Sequence, residues 1–235
     1  MLPDGTASAP DANAVAWLPF VGAVIGALSG LAGELPARRS HPLGVALAFA
    51  LSLALSGAIH FDGFADACDA LFAPVPVARR LEIFKDPRHG TFALAGALAV
   101  GAIWLAALAG IAPAAYPPVL ALAGAAARFG AIVHMRYTAH ARSTTPSAAF
   151  THRPPIAVLA LDVMLVCALV ASTGNGWPSG VLATATALVV AALAVAWARG
   201  RLDGAVVGDV FGFAIVLAEA SALAAFSLSA AAGHP

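Results

Sequence analysis

The chain has 235 residues, 61% of them hydrophobic and 10% charged, with basic and acidic side chains in balance at zero formal net charge. A mean hydropathy of +0.89 and a charged fraction far below the roughly 25% of a soluble domain exclude an ordinary soluble globular protein and fit a polytopic membrane protein. Cys68 and Cys167 show no metal-ligand spacing, which excludes a disulfide framework and a zinc site, and no nucleic-acid partner is expected.

Residues 1–14 form a polar tail with no basic stretch ahead of the first apolar run, so a cleaved signal peptide is not expected. Apolar runs long enough to cross a bilayer, at ~20 residues per span, fall near 15–33, 43–59, 91–112, 116–135, 156–173, 178–198 and 208–230. The expected fold is therefore all-α, a membrane bundle of about seven transmembrane helices forming one domain over 15–230, with a short tail at 231–235. The first span carries Gly22, Gly26, Gly30 and Gly33, a small-residue stripe that permits close packing either within the chain or in a homo-oligomer. Trp17, Trp104, Trp177 and Trp197 lie near span ends, as an interfacial belt or as core.

After the short second span comes His60-Phe61-Asp62-Gly63-Phe64-Ala65-Asp66-Ala67-Cys68-Asp69. On a helix, at ~100° per residue, Asp62, Asp66 and Asp69 fall within an arc of roughly 60°. Like charges at that spacing repel beside apolar chain unless a divalent cation or basic groups neutralise them, so the cluster reads as a metal site. Pro74-Val75-Pro76 then breaks the chain, and Arg79, Arg80, Lys85, Asp86 and Arg88 follow in an amphipathic segment ending at Gly90. Carboxylates beside cations are what phosphoryl transfer needs: the acids hold magnesium, the bases meet phosphate oxygens, and one carboxylate accepts a proton. Arg79 and Arg80 can equally be positive-inside anchors at lipid headgroups.

Basic residues recur at Arg136, Arg142 and Arg153 and at Arg199 and Arg201, while 113–115 and 174–177 carry no lysine or arginine. The positive-inside rule thus turns the loop 60–90 and the two later basic loops to the cytoplasm. Arg38 and Arg39 break the alternation, which implies that the first or second span is short, re-entrant or inserted late. Ionisable residues also lie in or beside apolar spans: Arg128, Asp162, Asp209 and Glu219. Such charges face a cavity or a partner. Asp162 lacks a surrounding motif and reads as structural, whereas Asp209, in Gly208-Asp209-Val210-Phe211-Gly212, reads as a ligand or metal contact.

The run from His60 to Asp69, the run Arg80-Leu81-Glu82-Ile83-Phe84-Lys85-Asp86-Pro87-Arg88-His89-Gly90, and Gly208 to Gly212 with Glu219 resemble the successive signatures of the cobalamin synthase family, the adenosylcobinamide-GDP ribazoletransferases. Leu18-Pro19-Phe20-Val21-Gly22 is similar to that family's first helix, so the resemblance covers 18 to about 226. It implies a magnesium-dependent enzyme of the bacterial inner membrane that joins adenosylcobinamide-GDP to α-ribazole or its 5′-phosphate. On this reading Asp62, Asp66 and Asp69 hold magnesium, Asp69 or Asp86 is the general base, and Lys85 and Arg88 meet the diphosphate. Arg80, Arg128 and Asp209 join the substrate-binding set. His60 orients a carboxylate or contacts substrate, with capping as its alternative role.

Three of the motifs depart from the family pattern. The usual Asp-Ser-Arg-Ile-Gly is Asp86-Pro87-Arg88-His89-Gly90, the glycine after the third aspartate is Ala70, and Gly-Gly-x-Thr-Gly-Asp is Gly204-Ala205-Val206-Val207-Gly208-Asp209. The carboxylates are retained, and the lost hydroxyls bear on substrate affinity more than on reaction type. The first motif also looks like that of the CDP-alcohol phosphotransferases, but Asp66 stands where they carry an arginine after the alanine. A cation carrier using Asp162, Asp209 and Glu219 is the other alternative, and would not need the basic loop.

Overall fold

A computed structural model describes residues 17–137 and 155–232, and among these there are helices and connections but no strands. Nine α-helices follow in order: α1 Leu18–Ala37, α2 His41–Leu55, α3 Ile59–Phe72, α4 Val77–Ile83, α5 Thr91–Ala109, α6 Tyr116–Tyr137, α7 Ile156–Ser172, α8 Trp177–Arg201 and α9 Gly208–Ala232. Five stretches are long and apolar enough to cross a membrane, and α2 with α3 forms a sixth if counted as one bent span. The expected count of about seven is not reached on that measure because the fifth run makes only the 17-residue α7, and the second, 15 residues long, turns aside into α3. Arg142 and Arg153 lie outside the described residues.

The glycine stripe of α1 is used within the chain. A Cβ on Gly22, Gly26 or Gly30 would collide with the backbone of α6 at Gly124, Leu120 and Pro117 respectively, so the two helices run antiparallel in close contact. Gly33 does the same against Gly44 of α2. The far end of α1 therefore lies beside Tyr116, whose hydroxyl bonds His41 at 2.9 Å, and there Arg38 is neutralised by Glu34 at 2.6 Å.

Helices α6 and α9 are the most enclosed spans, and the core gathers around them: Tyr116, Leu120, Ile132, Ile215 and Leu223 are fully buried. Large apolar side chains such as Leu94, Leu98, Leu193 and Leu228 point outward, which suits lipid as solvent. The chain turns by 89° between α2 and α3 through Gly57 and Ala58, with φ of 58° and 53°. A left-handed alanine costs about 1 kcal/mol, so packing must hold this corner. As a result α3 lies across the bundle, against the starts of α5 and α9 and the end of α8, with Gly96 against Cys68 and Gly212 against the carbonyl of His60.

Candidate active site

The crossing of α3 and α9 builds the site. Gly63 and Gly212 bear no side chains, so α9 comes down onto α3 until the Asp209 backbone is in van der Waals reach of Gly63. That brings Asp209, in the first turn of α9, beside Asp62 and Asp66, and it is repelled by both. Asp66 in turn is repelled by Asp62 and Asp69. The counterweight is His89, whose Nδ1 lies 3.4 Å from Asp66 and Nε2 3.8 Å from Asp62, so its ring sits where a cation between the two carboxylates would sit. Among the described residues no three His, Cys, Asp or Glu side chains close on a single point tightly enough to hold a metal by themselves.

Asp69 has the same helical phase but a different task. Its carboxylate accepts the backbone N–H of Gly90 and, at 2.9 Å, that of Ala93, and its side chain is buried. These are the open amides at the N-terminus of α5, so Asp69 caps a helix 21 residues downstream and pins the loop 84–90 to α3. Gly90 lets the loop lie this close, since a Cβ would meet the Asp69 carboxylate at 2.8 Å.

Within that loop Arg88 forks onto Asp86, with Nε 2.9 Å from Oδ1 and Nη2 2.7 Å from Oδ2. The side-chain bonds from Arg88, followed by its backbone N–H, hold the Asp86 carboxyl down at about 2. A carboxylate that acidic is a weak proton acceptor near neutral pH, and its two bonds fix the direction of the Arg88 guanidinium. Lys85 is exposed, and Arg79 pairs with Glu82 at 2.6 Å.

Arg80 stands away from this surface. It is buried and donates to the carbonyls of Arg201 at 2.8 Å and Ala73 at 3.1 Å, while Arg201 returns two bonds to the carbonyl of Leu71 at 2.9 and 3.0 Å. The two arginines thus tie the last carbonyls of α3 to the end of α8, a favourable place for cations. Arg128 lies deeper still, 3.1 Å from Glu219, whose other oxygen accepts a 3.4 Å bond from the Trp104 indole. His60 is on the opposite face of α3 from Asp62 and looks into the bundle with Arg128. Asp162 is buried in α7, with Oδ2 unpartnered.

His89, Arg201 and the Trp104 contact were missed from sequence. A signal for His89 existed, since it occupies the position where the resembled motif carries isoleucine; Arg201 read only as loop charge, and no local pattern marks Trp104.

The family described as cobalamin-5-phosphate synthase matches residues 3–227. The chain belongs to this family. It is 37% identical over 213 residues to an adenosylcobinamide-GDP ribazoletransferase of Deinococcus radiodurans, covering 88% of this chain and 73% of the relative. A relative of the same name from Geobacillus kaustophilus is 35% identical over 214 residues, 84% of this chain and 80% of its own length. No solved structure matches. Within the cobalamin-5-phosphate synthase family, the departures at Pro87, His89, Ala205 and Val207 leave the acidic crossing and the Asp86–Arg88 fork intact.

Proposed function

We propose that this chain is the multi-pass membrane transferase that joins adenosylcobinamide-GDP to α-ribazole or α-ribazole 5′-phosphate, yielding adenosylcobalamin or its 5′-phosphate and GMP. A ribose hydroxyl attacks the cobinamide-side phosphorus; the new P–O bond forms as the bond to the GMP oxygen breaks, and the hydroxyl proton passes to the enzyme. The observation that carries this reading is the crowding of Asp62, Asp66 and Asp209 where α3 crosses α9, beneath a loop that presents Lys85, Arg88 and His89.

The donor set suits magnesium. Magnesium takes hard oxygen ligands and is commonly held by one or two carboxylates together with substrate phosphates and water, so an open acidic surface fits it better than a closed cage would. Asp62, Asp66 and Asp209 would hold it, and when bound it neutralises phosphoryl oxygens. Asp69 keeps the loop in place through its two amide bonds, and Arg88, aimed by Asp86, meets the diphosphate. His89, exposed at the loop 3.4 Å from Asp66, is the side chain placed to take the hydroxyl proton. The basic connection 73–90 and the arginines Arg199 and Arg201 that end α8 share the site's end of the bundle, which supports a cytoplasmic active site in the bacterial inner membrane.

The test is GMP release from adenosylcobinamide-GDP by purified protein in lipid with α-ribazole. Release that requires magnesium, stops with chelator and is lost in Asp66→Asn is the expected outcome. Absence of release from a well-folded sample overturns the proposal and directs the search to CDP-alcohol substrates.

A further inference from the structure

On the outward side of α8, residues four apart change character in order: Val189 and Leu193 are exposed and aliphatic, Trp197 is exposed and aromatic, and Arg201 ends the helix. At ~1.5 Å per residue each step is about 6 Å along the axis. Aliphatic chain, ring and guanidinium thus follow one another as acyl chain, interface and headgroup do across a bilayer leaflet. Two neighbours widen the aromatic tier. The Phe72 ring, at the end of α3, lies 5.0 Å from that of Trp197, and the Phe92 ring, at the start of α5, lies 6.4 Å from that of Phe72. Phe72, Phe92 and Trp197 remain 49%, 45% and 40% exposed although they touch one another, so the cluster faces outward.

The charge above this tier is not balanced from within. Arg80 and Arg201 are tied together at the end of α3, Arg199 shares the last turn of α8, and among the described residues none of the three forms an ion pair with a carboxylate. The buried Nε of Arg199 has no partner at all. The C-termini of α3 and α8 supply about half a negative charge each, roughly one unit against three. Arg201 uses Nε and Nη2 on the Leu71 carbonyl, and its Nη1 is neither bonded nor buried.

We propose that this corner binds an anionic phospholipid, with Arg201 Nη1 donating to the lipid phosphate and the upper acyl chain lying over Trp197 and Phe72. Cations without carboxylate partners favour a headgroup of net negative charge over a zwitterionic one. The exposed rings favour a lipid over a soluble anion, because they offer apolar contact just below the phosphate. Since Arg201 also holds the Leu71 carbonyl, the lipid braces the last turn of α3, two residues beyond Asp69.

The experiment places the full chain in nanodiscs of phosphatidylcholine with a minor fraction of brominated lipid, either phosphatidylglycerol or phosphatidylcholine. Quenching at Trp197 is read as the difference between wild type and Trp197→Phe. Brominated phosphatidylglycerol is expected to quench as if enriched about fivefold over its share of the bilayer, the factor that one basic residue gives near anionic lipid, and brominated phosphatidylcholine only in proportion to its share. Gly200→Glu sets a carboxylate beside Arg201 where a Cβ meets no atom within 4 Å, so charge is cancelled while the Leu71 bonds stay in place. It should abolish the enrichment, as should Arg201→Gln; a melting curve checks each fold, and Gly200→Glu carries the test if the glutamine variant does not fold. Equal quenching by the two lipids in wild type, or enrichment that survives Gly200→Glu, would overturn the site. Inorganic phosphate at matched ionic strength should leave the enrichment unchanged, and its loss there would overturn the lipid in favour of a soluble anion.

Discussion

The two faces of α3 treat charge in opposite ways. On the outer face Asp62, Asp66 and Asp209 crowd together with one exposed histidine as counterweight, whereas under the inner face Arg128 and Glu219 are matched at 3.1 Å and complete each other. Like charges crowded together raise one another's cost of ionisation, while a balanced buried pair supports its surroundings. Unbalanced negative charge thus belongs to the outer face and charge balance to the inner one.

The sharpest way to break this contrast is to neutralise the outer face. Asp66→Asn should lower GMP release by on the order of 10²-fold or more while thermal stability is unchanged or higher, since one member of a repelling group is removed; turnover and a melting curve on the same sample decide it. Next comes Gly212→Val, which would wedge α9 off the His60 carbonyl and shift Asp209, with a loss of roughly 10²-fold in turnover because sub-ångström placement is lost. On the inner face the order reverses. Arg128→Met should cost about 3–5 kcal/mol of stability by leaving Glu219 unpaired, and the double variant with Glu219→Met should recover most of it; denaturation in mild detergent reads both.

Smaller effects sharpen the boundary between the faces. Asp69→Ala removes two amide bonds at the start of α5 and should cost about 1–2 kcal/mol, seen as faster hydrogen exchange at Gly90 and Ala93. The least effect is expected from acid on the Asp86–Arg88 fork. Because the Asp86 carboxyl is depressed to about 2, the contact is fully present above its ordinary value of 3.8 and is lost only as pH falls through about 2. Asp86→Asn should therefore leave the shape of the pH–activity curve between about pH 5 and 8 unchanged.

Much of this was legible in the residues themselves. Helical class follows from the length and apolar character of each run, and the stripe Gly22, Gly26, Gly30 follows from helical periodicity, although which helix it faces does not. Asp62 and Asp66 share a helix face for the same reason. Asp69 shares that phase too, yet its role turns on Gly90, which lies beyond a proline break and a short helix. Arg80 and Arg88 look alike as loop cations; only the buried carbonyls of Ala73 and Arg201 distinguish the structural arginine from the presented one.

What this sequence determined by itself was therefore everything set by local period and chemistry: the membrane helices, the acidic face, the basic loop and the family those motifs resemble. Tertiary structure alone decided which carboxylates meet. Side-chain spacing along a helix is dictated by its pitch, but Asp209 reaches Asp62 and Asp66, and Glu219 reaches Arg128, only because distant helices cross where glycine lets backbones touch or where a buried charge must find its opposite.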